Sequence, residues 1–127
     1  MTEQNVLVVD DEDVIRDVCS QILTADGYLV TTAASGKEAL HLVSEHVYDA
    51  VVTDIMMPDM SGLELLEVIR STNMNLRTVV ITGLGTFDMA TQSDRLGARE
   101  FVVKPFTPLE LSRAVSKALA GKNSKAV

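Results

Sequence analysis

Short apolar runs rich in β-branched residues recur along the chain, each closed by a polar or charged residue. Asn5-Val6-Leu7-Val8-Val9 stops abruptly at the acids Asp10-Asp11-Glu12-Asp13, and residues 28–33, 50–53, 78–82 and 101–103 repeat the pattern. All five read as strands, and the runs at 50–53 and 78–82 as strands buried on both faces, as in a parallel sheet covered by helices. Between them the period lengthens to that of a helix. Val14, Ile15, Val18, Cys19, Ile22 and Leu23 lie at helical spacing, with Asp26-Gly27 as a stop. Ala39, Leu40, Val43 and Val47 form a second apolar stripe, Leu65, Leu66 and Ile69 a third. Leu111, Ala114, Val115, Ala118 and Leu119 make the last, with Gly121 after it. Three of these helices are announced by capping boxes: Ser35-Gly36-Lys37-Glu38, Ser61-Gly62-Leu63-Glu64 and Thr107-Pro108-Leu109-Glu110. Pro108 also takes the favoured first helical position. Residues 86–96 should be helical as well, but their apolar stripe is thin, with Phe87, Ala90 and little else before Gly97.

Strands alternating with helices in this way predict an α/β fold, a single (βα)5 doubly wound five-stranded parallel sheet with right-handed crossovers. It should occupy residues 1–121, leaving 122–127 as a frayed tail or the start of a linker. At 127 residues the chain suffices for one domain with a real core. Its apolar runs are too short to span a bilayer and no basic-then-apolar leader opens it, so no membrane partner and a cytoplasmic location are expected. The single Cys19 excludes an internal disulfide and fits a reducing compartment; it falls on the apolar side of its helix and reads as core. A net charge of −7 argues against direct binding of nucleic acid by this domain.

Open α/β sheets place their ligands at the C-terminal edge of the strands. There the predicted strands deliver Asp10 and Asp11, Asp54, Thr82 and Lys104. Crowded carboxylates repel, and either a raised pKa or a divalent cation relieves them. An all-oxygen donor set suits Mg2+, which keeps waters and favours phosphate as a co-ligand. Lys104 adds a compact positive charge and Thr82 a hydroxyl able to donate to a phosphoryl oxygen. Together they fit in-line attack of the Asp54 carboxylate on phosphorus. Singly, each has a plainer reading: a dipole-favourable helix start for Asp10-Asp11, a turn for Asp54, a surface ion pair for Lys104, core for Phe101. Their joint occurrence at successive strand ends outweighs those readings. His41 and His46 read as surface residues, and Arg95, Arg99, Arg113 and Lys117 as a solvated face.

Asp10-Asp11, Asp54 followed by Met57-Pro58 and Gly62, Thr82, and Lys104-Pro105-Phe106 stand in an order and spacing that resemble the receiver domain of bacterial two-component response regulators, from about Asn5 to Leu119. The resemblance implies the flavodoxin-like strand order 2-1-3-4-5. It implies that Asp54 is the phosphoacceptor, charged from the phosphohistidine of a histidine kinase or a histidine phosphotransfer protein. Asp11 and Asp54 would hold Mg2+ directly, Asp10 largely through water, and the Met56 backbone carbonyl would complete the protein ligands. Thr82 and Lys104 would contact the phosphoryl oxygens, Phe101 matches the aromatic switch position, and the Lys104–Pro105 peptide matches the family's cis bond. Drawing Thr82 inward would let Phe101 move and reshape the surface of helix four, strand five and helix five, altering partner binding or forming a phosphorylation-dependent homodimer. Such a domain is regulatory, promoting its own phosphotransfer and autodephosphorylation. Met56 and Leu84 flank the site's mouth without a group to orient water, which implies slow hydrolysis of the phosphoryl-aspartate. Competing readings are a receiver-like scaffold independent of phosphorylation, an aspartyl-nucleophile phosphatase, which wants a second acid where Met56 stands, and a flavin binder, whose phosphate the four acids after strand one would repel.

Overall fold

The computed structural model describes residues 3–72, 75–83 and 85–120. The elements run β1 (Asn5–Val9), α1 (Asp13–Ala25), β2 (Leu29–Ala33), α2 (Gly36–Glu45), β3 (Ala50–Asp54), α3 (Gly62–Thr72), β4 (Arg77–Thr82), α4 (Phe87–Arg95), β5 (Ala98–Val103) and α5 (Pro108–Ala120). The five strands form one parallel sheet in the order β2-β1-β3-β4-β5, the flavodoxin-like order. The central strands β1, β3 and β4 carry apolar stretches at Val6–Val9, Ala50–Val52 and Val79–Ile81 because both faces of the sheet are covered there. Val6 and Val8 pack with Cys19, Leu23, Leu111 and Val115 under α1 and α5. Leu7, Val9 and Val51 turn the other way onto Ala39, Leu65 and Ile69 of α2 and α3. A third cluster joins Ile55, Leu66, Val80 and Ala98 with the partly buried Met89 and Phe101. Cys19 is a core residue, its thiol pushed up to about 12 chiefly by burial, so it is a thiol rather than a thiolate at neutral pH.

The apolar stripes misplace some residues. Val47 lies beyond the end of α2 and is 83% exposed; the chain has already turned extended at His46, so Val47 has no helical face to share. Val14 is 70% exposed, on the first turn of α1 at the sheet's C-terminal edge, while the buried residues of that helix are Cys19 and Leu23. β5 begins at Ala98 rather than Phe101, with an irregularity opposite Thr78 and Val79. Arg99 and Glu100 conceal its start because an outer strand is only partly covered. Among the described side chains of α4, Ser93 is buried, donating to the Met89 carbonyl at 2.8 Å. Arg70 of α3 reaches across to cap it, donating to the Arg95 carbonyl at 2.5 Å. The predicted stop at Gly121 and the tail 122–127 lie outside the described residues.

Two of the three capping boxes form in full, and the first forms in half. Ser61 and Glu64 exchange bonds of 3.1 Å, as do Thr107 and Glu110 at 2.7 and 3.1 Å. Ser35 Oγ accepts from the Glu38 amide, but the Glu38 carboxylate reaches one residue further back, to the amide of Ala34. The two amides left over at the start of α2, those of Gly36 and Lys37, donate to the two carboxylate oxygens of Asp59 at 3.2 and 2.9 Å. Asp59 therefore caps a helix from the β3–α3 loop, and the Lys37 amide foremost holds its carboxyl below the usual value. A depressed carboxyl contributes stability that is complete above its unfolded-state pKa, near about 4, and is lost as pH falls through the lowered folded value. Asp59→Ala is expected to lower stability at pH 7 by about 1 kcal/mol, the difference from wild type fading in acid. Thermal melts across pH check this; a pH-independent difference would contradict it.

Candidate functional site

Strand register brings the site together. Val9 lies opposite Thr53, Asp54 opposite Ile81, and Thr82 opposite Val103, so the residues at or just past these ends meet at one edge. The Lys104 amide extends the ladder by donating to the Thr82 carbonyl at 2.8 Å, and the Lys104–Pro105 peptide is cis. The ammonium of Lys104 then crosses the edge. Its Nζ stands 2.8 Å from Asp54 Oδ2, 2.9 Å from Asp10 Oδ2 and 3.3 Å from Glu12 Oε1.

Asp10 and Asp54 are buried and held alike. Each gives one oxygen to Lys104 and the other to an amide two residues on: Glu12 N–H donates to Asp10 Oδ1 at 2.9 Å, Met56 N–H to Asp54 Oδ1 at 3.2 Å. Burial raises the Asp10 carboxyl above its ordinary value, opposed by the Glu12 amide and by Lys104. Burial would lower the Lys104 ammonium, yet its hydrogen bonds to Asp54 and Asp10 and their charge outweigh this and hold it above its ordinary value. Lys104 is thus a fixed cation over buried anions, the arrangement that makes such anions tolerable in a low-dielectric setting.

Carboxylate oxygens of Asp10, Glu12 and Asp54 lie within 4.8 Å of one another. This all-oxygen group could hold a hard divalent cation. Asp11 is exposed and lies outside that group. The turn made by the Glu12 amide on Asp10 Oδ1 leaves Asp11 outward and returns Glu12 over Lys104. Sequence reasoning noted the four acids but gave Glu12 no role; its helical-start position hid a side chain long enough to double back. Thr82 is fully buried at the end of β4. Phe101 is half-buried opposite Val80, in the third cluster. Met56 is exposed at the mouth, and Leu84 lies outside the described residues. The loop after Asp54 closes through Gly62 N–H on the Ile55 carbonyl at 2.8 Å, which fixes the backbone that carries Met56.

A sheet of this order with buried aspartates, a threonine and a lysine at its C-terminal edge defines a receiver-type module. The response regulator receiver domain model matches residues 6–116, and the chain belongs to that family. Sporulation initiation phosphotransferase F of Bacillus subtilis is 34% identical over 124 residues, covering 98% of this chain and 100% of that protein. The probable transcriptional regulator ycf27 of Guillardia theta is 38% identical over 125 residues, of which this chain spans 49% of the length. The crystal structure of response regulator TrrA from Thermotoga maritima, in complex with Mg2+-BeF, superposes with a TM-score of 0.84 at 37% identity, over 91% of this chain and 99% of that one. The chain is a receiver domain of two-component response regulators, a family whose members are served by histidine kinases or phosphotransfer proteins. Among the described residues no helix is long and apolar enough to cross a membrane.

Proposed function

We propose that Asp54 accepts a phosphoryl group from the phosphohistidine of a histidine kinase or histidine phosphotransfer protein, with Mg2+ as cofactor. The observation that carries this is the buried Asp54 carboxylate at a strand end, 2.8 Å from the Lys104 ammonium. In the transfer an Asp54 oxygen bonds to phosphorus as the P–N bond breaks, and the departing imidazole keeps the electron pair and takes up a proton. The Met56 amide orients the carboxylate through Oδ1. Lys104 follows the charge onto the phosphoryl oxygens, and Thr82 donates its hydroxyl to one of them. Asp10, Asp11, Asp54 and the Met56 carbonyl would hold Mg2+, with Glu12 close by. The ion, when bound, offsets charge on the phosphoryl oxygens. The Mg2+-BeF complex of the Thermotoga relative supports this donor chemistry.

The signal would then travel through Thr82 and Phe101 to the surface of α4, β5 and α5. The thin apolar stripe of α4 in the sequence supports mobility there, and the outcome is a changed affinity for partners or for a second copy of the chain. Met56 offers no hydrogen bond to an attacking water, which supports slow autodephosphorylation. A domain without nucleic-acid contacts of its own fits the net charge of −7, and a reducing, cytoplasmic setting fits the single buried Cys19.

Acetyl phosphate tests the reading by intact mass. Wild type is expected to gain one phosphoryl group with Mg2+ present and almost none with chelator; Asp54→Asn should gain none. Equal labelling of Asp54→Asn, or labelling indifferent to Mg2+, would overturn it.

A further inference from the structure

Glu12 occupies a position at odds with its chemistry. It is the N-cap residue of α1, with extended dihedrals (φ −93°, ψ 121°), yet its side chain makes no capping bond. Ser, Thr, Asp and Asn are preferred there because their short side chains reach the first-turn amides. The Glu12 carboxylate instead lies 3.3 Å from Lys104 Nζ, in the same oxygen group as Asp10 and Asp54.

An ammonium has three donors, and here Asp54, Asp10 and Glu12 take them. A phosphoryl group on Asp54 would bring further anionic oxygens that need the same cation, so one contact has to yield. Asp10 is wholly buried, and without Lys104 the Oδ2 side of its carboxylate would lose its ammonium partner in the interior, which is costly. The Glu12 side chain is 62% exposed and holds the longest of the three contacts, so water can replace Lys104 at little cost. On the reading of Asp54 as phosphoacceptor, we propose that Glu12 is a positioning residue that retains Lys104 in the unphosphorylated chain and releases it when phosphorus arrives. It therefore opposes the phosphorylated state while enriching the acidic group that attracts the cation.

Those two actions have opposite signs, which a merely structural role would not produce. The test titrates beryllofluoride at saturating Mg2+ by fluorine NMR, and Mg2+ alone by amide shifts, on the full chain. Glu12→Gln is expected to bind beryllofluoride about threefold more tightly and Mg2+ about threefold more weakly, the scale of an exposed ion pair. Glu12→Asp keeps the charge and supplies a preferred cap, but is one methylene short of Lys104. It should tighten beryllofluoride as Glu12→Gln does, without loss of thermal stability. Glu12→Gln binding beryllofluoride no better than wild type, or Glu12→Asp behaving as wild type, would overturn the proposal. Asp54→Asn separates the two readings: beryllofluoride binding that survives in it refutes Asp54 as acceptor, whereas its loss alongside unaltered Glu12 variants refutes the role of Glu12 alone.

Discussion

Lys104→Met is expected to slow phosphorylation by acetyl phosphate about a hundredfold or more and to destabilise the metal-free chain by about 3 kcal/mol. Both effects come from one atom. Lys104 Nζ touches Asp10 and Asp54, which are buried, and Glu12, which is not. Methionine keeps the apolar stem and removes the charge, so two interior carboxylates lose their ammonium, and each retains the amide bond to its other oxygen. In the transfer step the phosphoryl oxygens lose the cation that would follow them. Urea denaturation with and without Mg2+, beside the labelling rate, checks both halves. Mg2+ should recover part of the lost stability, because it binds the folded site and has no such site in the unfolded chain. A variant as stable as wild type and labelled at its rate would reduce Lys104 to a surface ion pair.

Gly62→Ala is the second large effect. A Cβ on Gly62 would stand 2.1 Å from the Asp54 carbonyl oxygen and 2.8 Å from Ile55 Cα. Both obstacles are backbone, so no rotamer can give way, and the start of α3 must back off from the end of β3. The expected loss is about 3 kcal/mol, with slowed phosphorylation because the displaced loop carries Met56 and the Asp54 main chain. Gly83→Ala is the control: a Cβ there meets nothing within 4 Å, and stability should change by no more than about 0.5 kcal/mol. Equal denaturation midpoints for the two variants would mean that the close approach at Gly62 is unnecessary.

The features legible in the sequence are those with local causes. Val6 to Val9 and Val51 to Thr53 read as strands because a doubly covered sheet demands unbroken apolar runs. The helices after Ser35, Ser61 and Thr107 read as helices because each starts with a Ser or Thr followed three residues on by a glutamate. Asp54, Thr82 and Lys104 stood out as polar residues at or just past the ends of such runs. The strand order followed from family resemblance; periodicity says nothing of which strands are neighbours.

What escaped the sequence depends on distant geometry. Val14 and Val47 match a helical stripe, but a stripe does not reveal where the sheet beneath it ends or where the helix stops. The start of β5 at Ala98 was masked by Arg99 and Glu100, tolerated on an outer strand. Asp59 caps α2 from 22 and 23 residues away, a contact with no local signature. Which of the four acids after β1 lean inward was decided by a single turn around Asp10.

The central claim is that phosphorus bonds to one particular carboxylate among several neighbours. Borohydride reduces an acyl phosphate to an alcohol, and peptide sequencing by mass spectrometry then reads its position. After labelling in Mg2+, the reduced residue is expected at position 54 alone. Reduction at Asp10, Asp11 or Glu12, or a labelled chain with no reducible carboxylate, would contradict the account.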